Sequence, residues 1–446
     1  MDPDSTLDPT PASSPTPLNR NWNFQTLWIG SAFGILGLEV ADIGYPLVVL
    51  GITGSPGKAG LFAVVQLVCT LITGLPAGAL VDTFDRRLVL ILGESVRVVA
   101  TAGVAVALAT DHLTYSQLLV TAGVLGLVQP LSGTARMVLI RSVVAPEQLT
   151  TALTRDEVRV ASGALAGPPI GGVLFSLSRL APFVFTAAAF LLSLLCALFL
   201  RLPPKAAKAT AEEKAPAVAG SEAGTDADPE GKPAPAAAAQ ESPFAQMSLG
   251  IRSLWADPVL RTTTALVAAI NTIGAPLALM AVVILQGQGV GSWQIGIAMS
   301  GVAVGGLIGA PLVGPLHRIL RPGTLLLGVA AIVVVVLALL APSFGPWWLM
   351  GVLLVGSIGL PALRVLVDVL IFRQVPDEQR GRVIASVMTL LGLGAPLGTG
   401  LASLLLEYLT PAHSMLALSA VLAVFVLLAF GQRGLRTAVW PEEKDH

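Results

Sequence analysis

The chain has 446 residues, of which 54% are hydrophobic and only 12% charged, and its net charge is −1. A water-soluble globular chain carries about 25% charged residues, so this composition cannot clothe a water-facing surface and belongs in lipid. The near-zero charge excludes nucleic acid as a partner, and two cysteines in apolar runs with four scattered histidines exclude a disulfide scaffold and a metal site.

Residues 1–24 are rich in Pro, Ser and Thr, lack the basic start of a secretory leader, and are expected to be a disordered cytoplasmic N-terminus. Apolar stretches long enough to cross a ~30 Å hydrocarbon layer as helices then follow. They lie at 25–51, 58–81, 88–110, 115–143, 151–178, 180–201, 261–287, 292–316, 323–343, 346–373, 382–408 and 412–432. The expected fold class is an all-α polytopic membrane protein with twelve transmembrane helices in two six-helix bundles, 25–201 and 259–433. Between the bundles, the Ala/Pro/Gly/Glu-rich stretch 202–243 has no apolar period and reads as a disordered cytoplasmic linker. In 244–258, Phe244, Met247, Ile251, Leu254 and Trp255 recur at helical spacing, as in an interfacial amphipathic helix. Residues 434–446 form a cytoplasmic tail.

Arg86, Arg87, Arg141, Lys205, Lys208, Arg318, Arg321, Arg373, Arg380 and Arg382 fall in or beside loops on one side, against Lys58 and Arg179 on the other. The positive-inside rule therefore puts both termini in the cytoplasm. The excess of arginine over lysine and the abundance of alanine point to a bacterial cell, and hence to its inner membrane. The halves also echo each other: Gly78-Ala79 and Gly309-Ala310, Pro130 and Pro361, and Glu147-Gln148 and Glu378-Gln379 all stand 231 residues apart. Two parallel repeats are what a pair of rocking bundles leaves in a sequence.

Gly78-x-Leu80-x-Asp82, followed by Arg86-Arg87, occupies the loop between the second and third spans. Gly78 lets two helices approach closely, and Asp82 stands at a helix end where it can meet a helix N-terminus or an arginine. The fifth span contains Gly163-x-x-x-Gly167-Pro168-Pro169-Ile170-Gly171-Gly172, small and kinking residues suited to tight backbone contact.

These two motifs resemble the loop signature of the major facilitator superfamily and the antiporter signature of its proton-driven drug exporters. Asp85 replaces the glycine of the broad loop pattern, and that form, with Ala135-Arg136 through Leu149, is similar to the macrolide- and siderophore-exporting branch. The resemblance covers most of residues 20–435, linker excepted. It implies that Asp82 latches the halves on the cytoplasmic side when the cavity opens outward, with Arg382 as a candidate partner. It also implies export in exchange for protons. One departure is that span four lacks the mid-membrane arginine of the multidrug signature, so coupling through that residue has no support.

Charge inside a membrane costs about 2.5–3.5 kcal/mol by insertion scales, which makes every such residue a functional candidate. Glu39 and Asp42, three apart on span one, share a helical face and are the candidates for proton coupling: protonated facing outside, ionised facing inside. Glu94 and Arg97 on span three, and Arg364 and Asp368 on span ten, are spaced to neutralise each other. Arg155, Asp156, Glu157 and Arg159 form a charged inner end of span five, expected to be solvated and mutually paired. Asn271 and Gln129 are candidates for the substrate cavity, whose scarcity of polar groups favours an amphipathic ligand.

The expected function is transport: export of a small amphipathic compound (drug, secondary metabolite or siderophore) by alternating access. It is driven by the proton gradient, with no cofactor and no catalytic or metal residues, in a monomer among membrane lipids. The alternatives are an importer or facilitator of the same fold, and a non-transporting membrane sensor or scaffold.

Overall fold

The computed structural model describes residues 16–201, 258–374 and 377–432; the side chains of 258–260 and 368–386 are outside that description. The linker 202–243, the interfacial helix 244–258 (apart from Pro258) and the tail 434–446 also lie outside it. Among the described residues, twelve helices are long and apolar enough to cross a bilayer. The first bundle holds α1 (Trp22–Thr53), α2 (Pro56–Gly74), α3 (Arg86–Ala109), α4 (Tyr115–Val143), α5 (Pro146–Leu177) and α6 (Ala181–Phe199). The second holds α7 (Arg261–Gly287), α8 (Ser292–Ile319), α9 (Pro322–Leu340), α10 (Pro346–Val367), α11 (Val387–Tyr408) and α12 (Pro411–Phe430). Each matches one apolar stretch of the sequence in order.

Polar residues at the apolar boundaries set the helix starts. Asn21 caps α1 by accepting from Phe24 N at 3.1 Å, and Thr114 with Gln117 makes a capping box at α4. Thr410 caps α12 with Pro411 in its first turn. The N-terminal boundary falls earlier than expected, because Asn21 Nδ2 also donates to Val143 O at 2.7 Å and Leu18 is buried. Residues 17–24 are therefore held against the bundle, although the sequence pattern placed them in a disordered terminus. Gly54, at φ 63°, closes α1 in a left-handed turn and hands the chain directly to Ser55, the cap of α2.

Successive spans run antiparallel, giving a terminal end, where the described chain begins and finishes, and a far end that carries Ser55 and Tyr408. In the first half α1 packs on α5 and α6, α2 on α4, and α3 on α4 and α6. In the second, α7 packs on α11, α8 on α10, and α9 on α12. The halves meet along two seams, α5 against α8 and α2 against α11. One cluster of buried apolar residues runs through both halves, joining Tyr45, Phe62 and Phe183 at the far end to Met280, Leu285 and Met415 and continuing through the second half. At the terminal end the first half closes on itself around Phe24, Leu139 and Leu200 in a separate cluster. The two bundles are thus joined at the far end and part toward the terminal end.

Candidate functional site

Gly163, Gly167 and Gly171 recur every four residues and so line one side of α5. α1 lies directly against them. A methyl group on Gly163 would collide with Ile35 and one on Gly167 with the side-chain stem of Glu39; on Gly171 it would stand 3.0 Å from the Val40 carbonyl oxygen. Gly172 faces the other way, across the seam: a methyl there would collide with the Ser292 carbonyl and come within 3.0 Å of Gly296 Cα. A methyl on Gly296 would in turn collide with the Pro168 carbonyl. The strip Gly163–Gly172 is therefore wedged between α1 of its own half and α8 of the other. Glu39 is half-buried on this strip and Asp42, one turn on, is exposed.

The loop motif lies at the terminal end, where the halves are apart. The Asp82 side chain is 71% exposed and stands 3.9 Å from Arg86 Nη2, a local contact one turn along. Asp85, the residue that departs from the broad motif, caps α3 by accepting from Leu88 N at 2.9 Å. Arg87 donates to the Leu198 carbonyl at 2.7 Å and so binds the end of α6. Leu80 is exposed, and among the described residues nothing lies within 4 Å of a methyl built on Gly78, so no described helix approaches it closely in this conformation, contrary to the close packing its sequence position implied. The side chain of Arg382 lies outside the described residues. Gly78→Ala should accordingly stabilise the short helix Ala77–Thr83 by up to ~1 kcal/mol or leave it unchanged. Thermal unfolding checks this, and lost transport with stability retained would locate the need for Gly78 in the opposite conformation.

Glu94 and Arg97 pair as their spacing predicts, at 3.3 Å, but a third member joins them. Arg136 on α4 reaches the same Glu94 Oε1 at 3.0 Å. Glu94 is fully buried, and Arg97 also lies over the Phe190 ring at 5.4 Å. The arginine that α4 does carry thus sits near its terminal end, in a charge cluster tying α3 to α4. An arginine in an apolar span was the available signal. Arg159 is buried too, bonded to Asp156 at 2.7 Å and to the Ser31 carbonyl at 2.9 Å. It pins α5 to α1, although its sequence neighbourhood read as a solvated end. Arg364 is exposed on α10, and the Asp368 side chain lies outside the described residues.

Within the second half, α7, α8, α10 and α11 enclose a cleft of about 630 Å³ lined by Asn271, Met299, Leu353, Ser357 and Met388. Asn271 is one of its few polar groups. Gln129, half-buried on α4, belongs to the other half and does not line it. A mostly apolar wall can hold an amphipathic molecule by surface contact and orient it through the Asn271 amide and the Ser357 hydroxyl, the latter only as an acceptor because it donates to the Leu353 carbonyl at 2.8 Å. No group of three or more His, Cys, Asp or Glu side chains able to hold a metal occurs among the described residues.

A family model described as the Major Facilitator Superfamily matches residues 27–399 and again 277–444. The multidrug efflux pump Tap of Mycolicibacterium fortuitum is 26% identical over 406 residues, covering 87% of this chain and 92% of that one. Among solved structures, a bacterial homologue of the iron transporter ferroportin in an inward-facing state aligns with a TM-score of 0.66 at 17% identity, over 94% of this chain and all of that one. An inward-facing, unoccupied bacterial homologue of the human lysosomal transporter Spinster aligns at 0.67 and 16% identity, over 93% and 97%.

Proposed function

Because the chain belongs to the Major Facilitator Superfamily, we propose that it is a secondary active transporter exporting a small amphipathic compound (a drug, a secondary metabolite or a siderophore) in exchange for protons. In this reading it sits as a monomer in a bacterial inner membrane with both termini in the cytoplasm. The parted terminal end is then open to the cell interior. Asn271 and Ser357 orient the substrate, and two bundles rock about it. The observation that carries the reading is the contact of Glu39 with Gly167. It supports the reading because the stem of an ionisable side chain packs on the helix that forms one seam between the halves. A neutral carboxyl tolerates an apolar, closely packed setting far better than a carboxylate. Protonation from outside therefore favours the packing of α1 on α5 that accompanies the inward-open state, and deprotonation to the cytoplasm favours its rearrangement. Asp42, one turn away and exposed, provides the path to Glu39. The efflux-pump relative supports the outward direction.

The test uses inside-out vesicles acidified in the lumen and a fluorescent amphipathic dye. Uptake is expected, and Glu39→Gln with Asp42→Asn is expected to slow it by about tenfold or more. Equal uptake by the double variant would remove both carboxylates from the coupling. Dye movement that ignores the proton gradient would make the protein a facilitator.

A further inference from the structure

The α2–α11 seam ends in a contact that joins the halves. Glu407, in the last turn of α11, directs Oε2 at the start of α2, where it accepts from Ser55 Oγ at 2.8 Å and from Gly57 N at 3.2 Å. Ser55 is also the cap of α2: its Oγ accepts from Lys58 N at 3.1 Å while its hydroxyl hydrogen goes to Glu407. A carboxylate of one bundle thus completes the helix N-terminus of the other, where unpaired N–H groups and the positive end of the helix dipole favour negative charge. Two glycines make the room. A methyl on Gly57 would stand 3.2 Å from the Glu407 carboxyl carbon, and one turn deeper a methyl on Gly60 would come within 2.5 Å of Ser403 Cβ. Lys58 does not compete for the carboxylate; its Nζ lies over the Tyr115 ring at 5.7 Å. At the equivalent position of the other seam, 231 residues earlier on α5, stands Ser176, which bonds back to its own helix at Val173 O. α2, through its continuation Ala77–Thr83, carries the exposed Asp82 at the opposite end.

We propose that Glu407 is the far-end latch of the transport cycle: it holds the two bundles together while the terminal end is open, and it must release Ser55 and Gly57 for the far end to part. The inference rests on the alternating-access reading above, but it can be tested without any substrate. In the full chain carrying Cys69→Ala and Cys196→Ala, spin labels on His112→Cys and Phe344→Cys report the far-end opening. Labels on Phe84→Cys and Ile319→Cys report the terminal end. All four native side chains are exposed and lie outside the seams. Glu407→Gln is expected to raise the ratio of far-end-open to far-end-closed molecules about threefold to tenfold, the size of a charge at a helix N-terminus plus its hydrogen bonds. The terminal-end distance should shorten in step, and Ser55→Ala should move both the same way by less. The same substitutions are also read in a Gly172→Val background, where the other seam is forced apart, so the ratio stays measurable if the parent chain occupies one state. Unchanged distances for Glu407→Gln in both backgrounds would overturn the latch. Changed distances with dye transport insensitive to protons would leave the latch standing and remove the antiport reading.

Discussion

Glu94→Gln is expected to destabilise the protein by about 3 kcal/mol, because breaking a buried charge cluster leaves uncompensated charge behind. Glu94 Oε1 serves both Arg97 and Arg136, and the two guanidinium groups lie on different helices with little access to water. Neutralising the one carboxylate leaves two arginines facing each other between α3 and α4. For a chain of this size the loss should lower the melting temperature in detergent by on the order of 5 °C. The triple change Glu94→Leu, Arg97→Met, Arg136→Leu should recover most of that, since replacing a whole buried ionic group by apolar side chains is often neutral or better. Fluorescence-monitored unfolding distinguishes the cases. If Glu94→Gln melts with the parent chain, the cluster does not hold the first bundle together.

Gly172→Val is expected to cut transport by about tenfold or more while the protein still inserts and folds. The added side chain meets backbone, the Ser292 carbonyl and Gly296, which cannot rotate aside as a flexible side chain would. The clash exists only where α5 and α8 close, so it penalises one conformation of the cycle rather than the fold. Gly103→Val on α3, where nothing lies within 4 Å, is the control and should transport normally. Efflux by cells expressing each variant reads the effect. Normal efflux with Gly172→Val would mean that this seam need not close as tightly as it does here.

The architecture was legible in the sequence because it follows from one strong local signal, apolar runs of bilayer length, whereas the capping residues that fix their edges emerged only from the structure. The glycine strip was equally legible, since four-residue spacing fixes a helical face whatever lies opposite. Which partner each face meets was not written there. Glu39 on Gly167 joins α1 to α5, Arg136 reaches a carboxylate 42 residues away, and Glu407 reaches Gly57 across 350 residues. Spacing rules find pairs three or four residues apart and so found Glu94 with Arg97. They are silent on a third charge from another helix or an acid that caps a distant one. Gly78 shows the converse: its motif position implied close packing, and the parted terminal end leaves it open because a motif does not say in which conformation its contact forms.

The unequal apolar clusters at the two ends carry a consequence for how the molecule is made. The cluster around Phe24, Leu139 and Leu200 draws on first-half residues alone, so it is complete once the sixth helix has left the ribosome. The cluster around Tyr45 and Phe183 begins with first-half partners such as Phe62 but reaches its full extent only when Met280, Leu285 and Met415 are synthesised. Biogenesis is therefore staged. A nascent chain halted after Arg201 holds a bundle finished at one mouth and still lacking the second-half part of its cluster at the other, and during that interval an insertase or chaperone has a surface to shield.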